Sequence, residues 1–564
     1  MKHLRWQALI ALLGLLLAVG LLSGQSREVI ISEVPVAGTG TYREALIGAP
    51  RALNPLLDVF NPVDRDLDRL IFSGLTHFDA QGRPVDDLAN WFLSSDERTY
   101  TFILKPNLTW HDGAPLTAED VAFTVQVLQN PTAPGLADLK QLWQAVSVAV
   151  TGTQTIAFTL PEPFAPFLDF TDFGVLPKHL LADVPPAQMA QAAFNLQPVG
   201  SGPFRFVGWQ AAAGQVTGVT LAAYERYHGV KPILGQIEFR FYPNGAAALA
   251  AYEAGEVLGV AGLSGAEVAP ALRLPDLRVY SAIEPEYTLI FLNLRDETLP
   301  FFKDKKVRQA LALGLNRSAM VSDILNGQAV PANSPIVPGS WAYNAGLPPA
   351  RYDPAAAAAL LDSAGWVVPP DALAGTPDYV RQKDGVTLAF TMTVADDATH
   401  RQLAAAAQQT WAGLGLRVEI DPVAPAALRS QALEPRAYQA LLADFSLAGN
   451  PDPDPYPLWH QTQVESGQNY GGWDDRIASQ VLEQARITAD IGQRARLYQT
   501  FQTRFMDQTP ALLLYYPVYS YGVDAQVGGV QLGPLTDPSD RFASLSAWSL
   551  VTRRVVIEQT TPTP

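Results

Sequence analysis

An α/β protein built as more than one domain is predicted by three features of the sequence. Residues 386–394 read as a strand, 400–414 as a helix and 416–420 as a strand, the order from which helix-covered sheets are assembled. The chain has 564 residues, and a single hydrophobic core stops growing at about 250–300 residues. Apolar residues make up 48% of the chain and aromatic residues 10%, enough to fill several interiors.

Taken in order, the elements begin with a targeting segment. Lys2 and Arg5 precede an apolar run of 15 residues from Ala8 to Leu22, the layout of a secretory signal. That run falls short of the roughly 20 residues a spanning helix needs. Residues 1–24 therefore predict a cleaved signal peptide or an uncleaved membrane anchor, with the body of the chain outside the cytoplasmic membrane. Leu22-Ser23-Gly24 looks like a lipoprotein cleavage box, but Gln25 stands where the lipidated Cys belongs, so the tether is not a lipid. Residues 25–40 are polar, with Pro35, Gly38 and Gly40, and read as a linker that completes a segment 1–40. Residues 554–564 end in a Thr/Pro-rich stretch and read as a disordered tail. Between these, 99–104 (TYTFIL), 154–160 (QTIAFTL) and the alternating 236–242 (QIEFRFY) read as strands, and 300–316 and 353–365 as helices. Asp353 is the N-cap of the last, Pro354 its first residue and Gly365 its stop.

Residues 107–130 (NLTWHDGAPLTAEDVAFTVQVLQN) are a turn followed by a helix. His111-Asp112-Gly113 is a tight turn. Thr117 is an N-cap with Asp120 three residues on, the spacing of a capping box, and Val121, Phe123, Val125, Val127 and Leu128 carry the apolar pattern onward.

Composition excludes several function classes. A net charge of −16 argues against nucleic acid or an anionic membrane surface as the main partner. The absence of cysteine removes disulfides, thiolate metal sites and Cys nucleophiles. The seven histidines, His3, His77, His111, His179, His228, His400 and His460, form no H-E-x-x-H and no close pair. Asn450, Asp452 and Asp454 have the spacing that opens a calcium loop, but Pro455 and Gln461 replace the glycine and glutamate it requires. There is no G-x-S-x-G, P-loop or dinucleotide fingerprint, and Asp86-Asp87 and Asp474-Asp475 read as caps or solvated carboxylates. No cofactor, no metal and no catalytic set is expected, which leaves binding. A secreted hydrolase would need a clustered set that the sequence does not offer.

Five segments in order carry a resemblance. The 107–130 turn–helix is the first. Val199-Gly200-Ser201-Gly202-Pro203-Phe204 with Trp209 is the second, and Phe291–Asn293 followed by PFFKDKKVRQALALGL is the third. Tyr352-Asp353-Pro354 through Ala364-Gly365-Trp366 is the fourth, and Asp452-Pro453-Asp454-Pro455 with Trp459-His460 the fifth. Together they resemble the extracytoplasmic solute-binding proteins of family 5, the oligopeptide-, dipeptide- and nickel-binding proteins of ABC transporters. The resemblance implies a two-lobed, periplasmic-binding-protein-like fold (type II, cluster C) with mixed sheets and hinge strands. Lobe I would span 41–284, with an inserted subdomain, and return over 511–553; lobe II would span 285–510. The crossings would lie near 283–293 and 511–519, where YTLIFL and LLLYYPVY are apolar runs of strand length.

The implied function is capture of an extracellular peptide, or a similar small solute, between closing lobes and delivery to membrane permease subunits, by a monomer. A tethered sensor or chaperone-like module of the same fold is the alternative. The implied ligand-binding residues are Gly48, Ala49 and Arg51 in the loop after the first strand, Asn293 at a crossing, and Trp341 and Trp459 as cleft walls. Phe445 and Ser446 lie on the strand that would pair with extended peptide. The family's amine-binding position falls here on Ala448, a departure: either Asp452 or Asp454 replaces that aspartate, or the guest has no free amine and residues 452–454 form a rigid Asp-Pro turn.

Overall fold

The computed structural model describes residues 6, 12–15, 29–134, 137–449 and 452–558. Most of the expected signal segment, and Asn450 in the acidic loop, lie outside the described residues. Among the described residues, no helix is long and apolar enough to cross a membrane.

One strand organises the molecule. Ala511–Asp524 pairs antiparallel with Glu286–Leu292 through its first half and with Leu277–Ile283 through its second. From Glu286–Leu292 the sheet continues through Ala440–Ser446, Ala389–Ala395 and Arg417–Val423. On the other side it runs through Gly259–Val260, Thr39–Ile47, Leu234–Tyr242, Gln215–Ala223 and Phe204–Ala212. The two halves of the sheet form two lobes, each with mixed strand directions, and Ala511–Asp524 belongs to both.

The apolar runs are buried on both faces because each half of the sheet is covered twice. In the second lobe Ile290, Leu292, Leu512 and Leu514 enter a core with Val307, Leu311, Leu403 and Trp411. Their neighbours Leu289, Phe291 and Leu513 enter the opposite core with Leu482, Tyr498 and Phe505. In the first lobe Leu46, Phe239, Tyr521 and Val523 pack against Leu67 and Leu70 of the helix Pro62–Ile71. A separate core fills the inserted subdomain, where Ala89–Leu93, Thr99–Leu104, Thr155–Thr159 and Ser147–Gly152 form a sheet under the helix Ala118–Gln129.

Local sequence sets the helix ends. Asp353 accepts from the Ala356 amide at 2.9 Å, and Gly365 takes φ +85°. Residues 300–316 are not one helix. A 3₁₀ turn Pro300–Lys303 ends at Asp304, which caps a new helix Lys305–Leu313 by accepting from the Lys306 amide at 2.9 Å. The linker and the tail need correction too. Val29–Pro35 pairs antiparallel with Thr552–Glu558. Each segment is β-branched, but its partner lies at the other end of the chain, so neither reads as a strand alone.

The most recognisable motifs hold the fold together. The His111 amide donates to the Gly200 carbonyl at 2.9 Å, and the Gly200 amide donates to His111 Nδ1 at 3.2 Å. With Nδ1 accepting, the proton sits on Nε2, which donates to the Gly202 carbonyl at 3.0 Å. Burial lowers the pKa of this ring to about 4, so it stays neutral. The backbone at Gly200 lies so close to the helix Pro62–Ile71 that a Cβ there would come within 1.9 Å of the Ile71 carbonyl oxygen. Gly200→Ala should therefore destabilise the protein by about 1–3 kcal/mol or more, read as a lower denaturant midpoint. An unchanged midpoint would show that the backbone can move aside.

Candidate functional site

The crossing between the lobes is built at Glu284, Pro285 and Pro517. The Glu284 amide donates to the Pro517 carbonyl at 2.9 Å, and the Leu447 amide to the Pro285 carbonyl at 2.7 Å. Pro517 has no N–H to offer a ladder, and it sits where the long strand exchanges one partner for the other.

Beneath the crossing, on the first-lobe side, lies a fully buried polar network. Arg541, 1% exposed, pairs with Glu44 at 2.8 Å and Asp66 at 2.6 Å. Tyr521 donates to Glu44 at 2.5 Å, and the Tyr42 and Tyr521 hydroxyls lie 2.6 Å apart. Four segments distant in sequence, including the shared strand, are tied by this one cluster.

On the second-lobe side the strand Ala440–Ser446 is paired along its whole length with Glu286–Leu292. On its other edge it meets Ala389–Ala395 only at Ala440 and Leu441. Among the described residues, 442–446 present an unpaired edge beside the crossing. Phe445 is half-buried, its ring stacked 5.8 Å from Tyr287, and Ser446 is exposed. Asp444, on the same strand, is engaged: Thr288 donates to it at 2.5 Å and His400 Nε2 lies 3.2 Å away. The hydrogen bond that the His400 ring donates to Asp444, helped by the charges of Asp444 and Asp397, raises the His400 pKa to about 9, so the imidazole is charged. Burial pushes Glu286 up to about 7, with Asp444 adding to the rise.

The expected site residues divide into groups. Gly48 (φ +107°) turns the chain out of Thr39–Ile47. Asn61 donates to the Ala49 carbonyl at 2.9 Å, and Asp64 accepts from the Arg51 and Ala52 amides at 2.7 and 3.1 Å. The loop is thus clasped to the helix that carries Arg65, and the Arg51 side chain is exposed. Trp341 is half-buried at the junction: its amide donates to the Gln81 carbonyl of the first lobe at 3.1 Å, and the Arg494 guanidinium lies 5.1 Å from its ring.

Two residues lie elsewhere. Trp459 is 1% exposed, packed on Phe291, Trp473 and Phe505, and is core rather than cleft wall. Asn293 stands at the end of its strand away from the crossing, where its amide group donates to the Tyr438 carbonyl at 3.0 Å. Both were placed by motif position, which does not report burial. Asp452 and Asp454 are not free acceptors for a ligand amine. Asp452 is ion-paired with Arg494, and Asp454 with Arg486 at 2.7 Å.

The lobes touch beyond the crossing. The Gly449 amide donates to the Thr536 carbonyl at 3.4 Å, and the Arg486 guanidinium lies 5.6 Å from the Phe164 ring. Asp169, in the 3₁₀ segment Ala165–Thr171, faces Asp452 and Arg494 from the opposite lobe. Sequence reasoning passed over Asp169, although a lone carboxylate inside PFAPFLDF is an unusual residue in an apolar run. Among the described residues, no three histidine or carboxylate side chains are placed to hold a metal ion.

Comparison with known proteins agrees with this architecture. The family described as "Bacterial extracellular solute-binding proteins, family 5 Middle" matches residues 84–468. The oligopeptide-binding protein AppA of Bacillus subtilis is 28% identical over 502 residues, covering 87% of this chain and 89% of its own. The solved structure of that AppA in complex with a nonapeptide superposes with a TM-score of 0.67 at 26% identity, over 92% of this chain and 100% of the other. HbpA2 of Haemophilus parasuis, 22% identical, shares the fold with a TM-score of 0.77 over 89% of this chain and 99% of its own. Lobes, crossing strands and family match agree: the chain belongs to the bacterial extracellular solute-binding proteins of family 5.

Proposed function

We propose that the protein captures an extracellular peptide between its lobes, returns it chemically unchanged, and hands it to the permease of an ABC importer. The observation that carries this reading is the unpaired edge 442–446 beside the crossing. An extended peptide can add to such an edge through its main chain, which gives affinity tolerant of side-chain identity. The name of AppA as an oligopeptide-binding protein, and its solved complex with a nonapeptide, support peptide as the guest. In this reading lobe I is 41–284 with 511–553 and lobe II is 285–510; Phe445, Ser446 and Trp341 contact the guest, and the loop Gly48–Arg51 closes over it. Binding acts by population shift, since a guest that touches both lobes favours the closed arrangement.

Native mass spectrometry of the purified protein tests the reading directly. The expected result is a co-purifying peptide, released intact on denaturation. A carbohydrate or metal chelate in its place, or a peptide cleaved on incubation, overturns it.

A further inference from the structure

The two surfaces that meet between the lobes do not balance in charge. On the first lobe Arg65 pairs with Asp537, and Arg69 with Asp540 at 3.2 Å. On the second lobe Arg486 and Arg494 are taken by Asp454 and Asp452. Arg51 lies beside Asp64. Arg65, Arg69, Arg486 and Arg494 each already have a carboxylate, yet Asp58, Asp68, Asp169 and Asp172 remain, all on the first lobe. Asp58 neighbours Arg65 and Asp172, and Asp172 neighbours Arg69 and Asp540, so they share cations that are already paired. Glu284, at the crossing, adds a further carboxylate next to Asp537.

Asp68 is buried within the first lobe beside Asp58 and Asp64, whereas Asp169 is the buried carboxylate that faces the second lobe. It is 7% exposed, and its Oδ2 has no hydrogen-bond partner among the described residues. The carboxylate accepts from the Asp452 backbone amide of the opposite lobe, but a buried carboxylate oxygen left without a partner is still costly. Asp169 faces the opposite lobe, where the nearest carboxylate is Asp452 and the nearest cation, Arg494, is already spent on it.

We infer that the guest is a cationic peptide, and that Asp169, with Asp172 beside it, receives a lysine or arginine side chain as the lobes close. This rests on the peptide reading above and adds the charge class of the substrate. The guest's ammonium or guanidinium supplies the missing counter-charge and satisfies the orphaned oxygen. A neutral peptide leaves the carboxylates facing one another. Consistent with this, burial raises the pKa of Asp172 to about 7, so that closing over no cation draws protons onto the site.

Isothermal titration of the full chain with trilysine, trialanine and triglutamate at neutral pH and low salt is the test, repeated on Asp169→Asn. Trilysine should bind about tenfold or more tighter than trialanine, as one buried charge-assisted hydrogen bond implies. Asp169→Asn should remove that advantage, so that trilysine and trialanine bind the variant alike, and its far-ultraviolet circular dichroism shows that it is folded. Equal affinities for the three peptides, or equal losses for trilysine and trialanine in the variant, overturn the inference and leave peptide capture intact. Spermidine carries the charge without a peptide backbone. If it binds as tightly as trilysine while trialanine does not bind, the acidic subsite stands and the peptide reading falls. If none of these probes binds the wild-type chain, both fall.

Discussion

Arg541→Met should be among the most damaging single substitutions in this protein. The guanidinium is held by Glu44 and Asp66 in a site that water does not reach, and Tyr42 and Tyr521 are oriented by the same glutamate. Methionine fills much of the space but leaves two carboxylates without their cation. Removing one partner of a buried pair costs about 3–5 kcal/mol, mostly from the charge left behind. The expected result is a large fall in the denaturant midpoint. Adding Glu44→Gln to Arg541→Met should recover part of the loss, because it removes one of the orphaned charges. If the double variant is no more stable than the single one, the damage comes from lost packing instead. Because Tyr521 belongs to the strand shared by the two lobes, the crossing would be loosened together with the first lobe.

Arg494→Met should act on closure. Arg494 stands between Asp452 of its own lobe and Asp169 of the other, and it is the cation that allows Asp452 to be buried there. In the open arrangement water can solvate Asp452. In the closed one the variant would bury Asp452 and Asp169 against each other. The cost of about 3–5 kcal/mol for an uncompensated buried charge is at least a hundredfold in the open–closed equilibrium. Small-angle scattering with added trialanine should show compaction for the wild-type chain and none for the variant at neutral pH.

The pH dependence has a fixed sign. Burial, then the charge of Asp452, raises the Asp169 pKa well above its usual value in the closed form, and burial raises Asp452 as well. Carboxyls with higher pKa values in the closed form take up protons on closing, so closure is favoured as pH falls through those values and disfavoured above them. Compaction of the variant should therefore return in mildly acidic buffer. Compaction at neutral pH equal to wild type would show that Arg494 is not needed for closing.

Parts of the site were legible in the sequence, and parts could not be. YTLIFL and LLLYYPVY announced strands buried on both faces; the first starts from the crossing at Glu284 and Pro285, and the second passes through it at Pro517. Phe445 and Ser446 were placed on an edge strand by their position in a motif, and that edge is unpaired over 442–446 among the described residues. Trp341 and Trp459 show the limit. The same residue type ends at the lobe junction in one case and in the core in the other, because burial depends on what the rest of the chain brings alongside. The 107–130 segment read well as a turn and capped helix, and the Thr117 amide does donate to Asp120 at 2.9 Å. What His111 does there became visible only once Gly200 and Gly202 were beside it.

The sequence by itself determined the α/β class, the need for several cores, the family, the helix caps, and the absence of any cysteine chemistry. The family rests on the resemblance of five segments in order; the rest follow from composition and from periodicities that repeat within a few residues, so they need no partner elsewhere in the chain. Only the tertiary structure decided which carboxylates are spent and which are left over. Asp452 is neutralised by a residue 42 positions away, and among the described residues Asp169 Oδ2 is left without a hydrogen-bond partner at the approach of a different lobe. Charge balance in a closed cleft is a property of surfaces that meet, and no single stretch of the chain contains both of them.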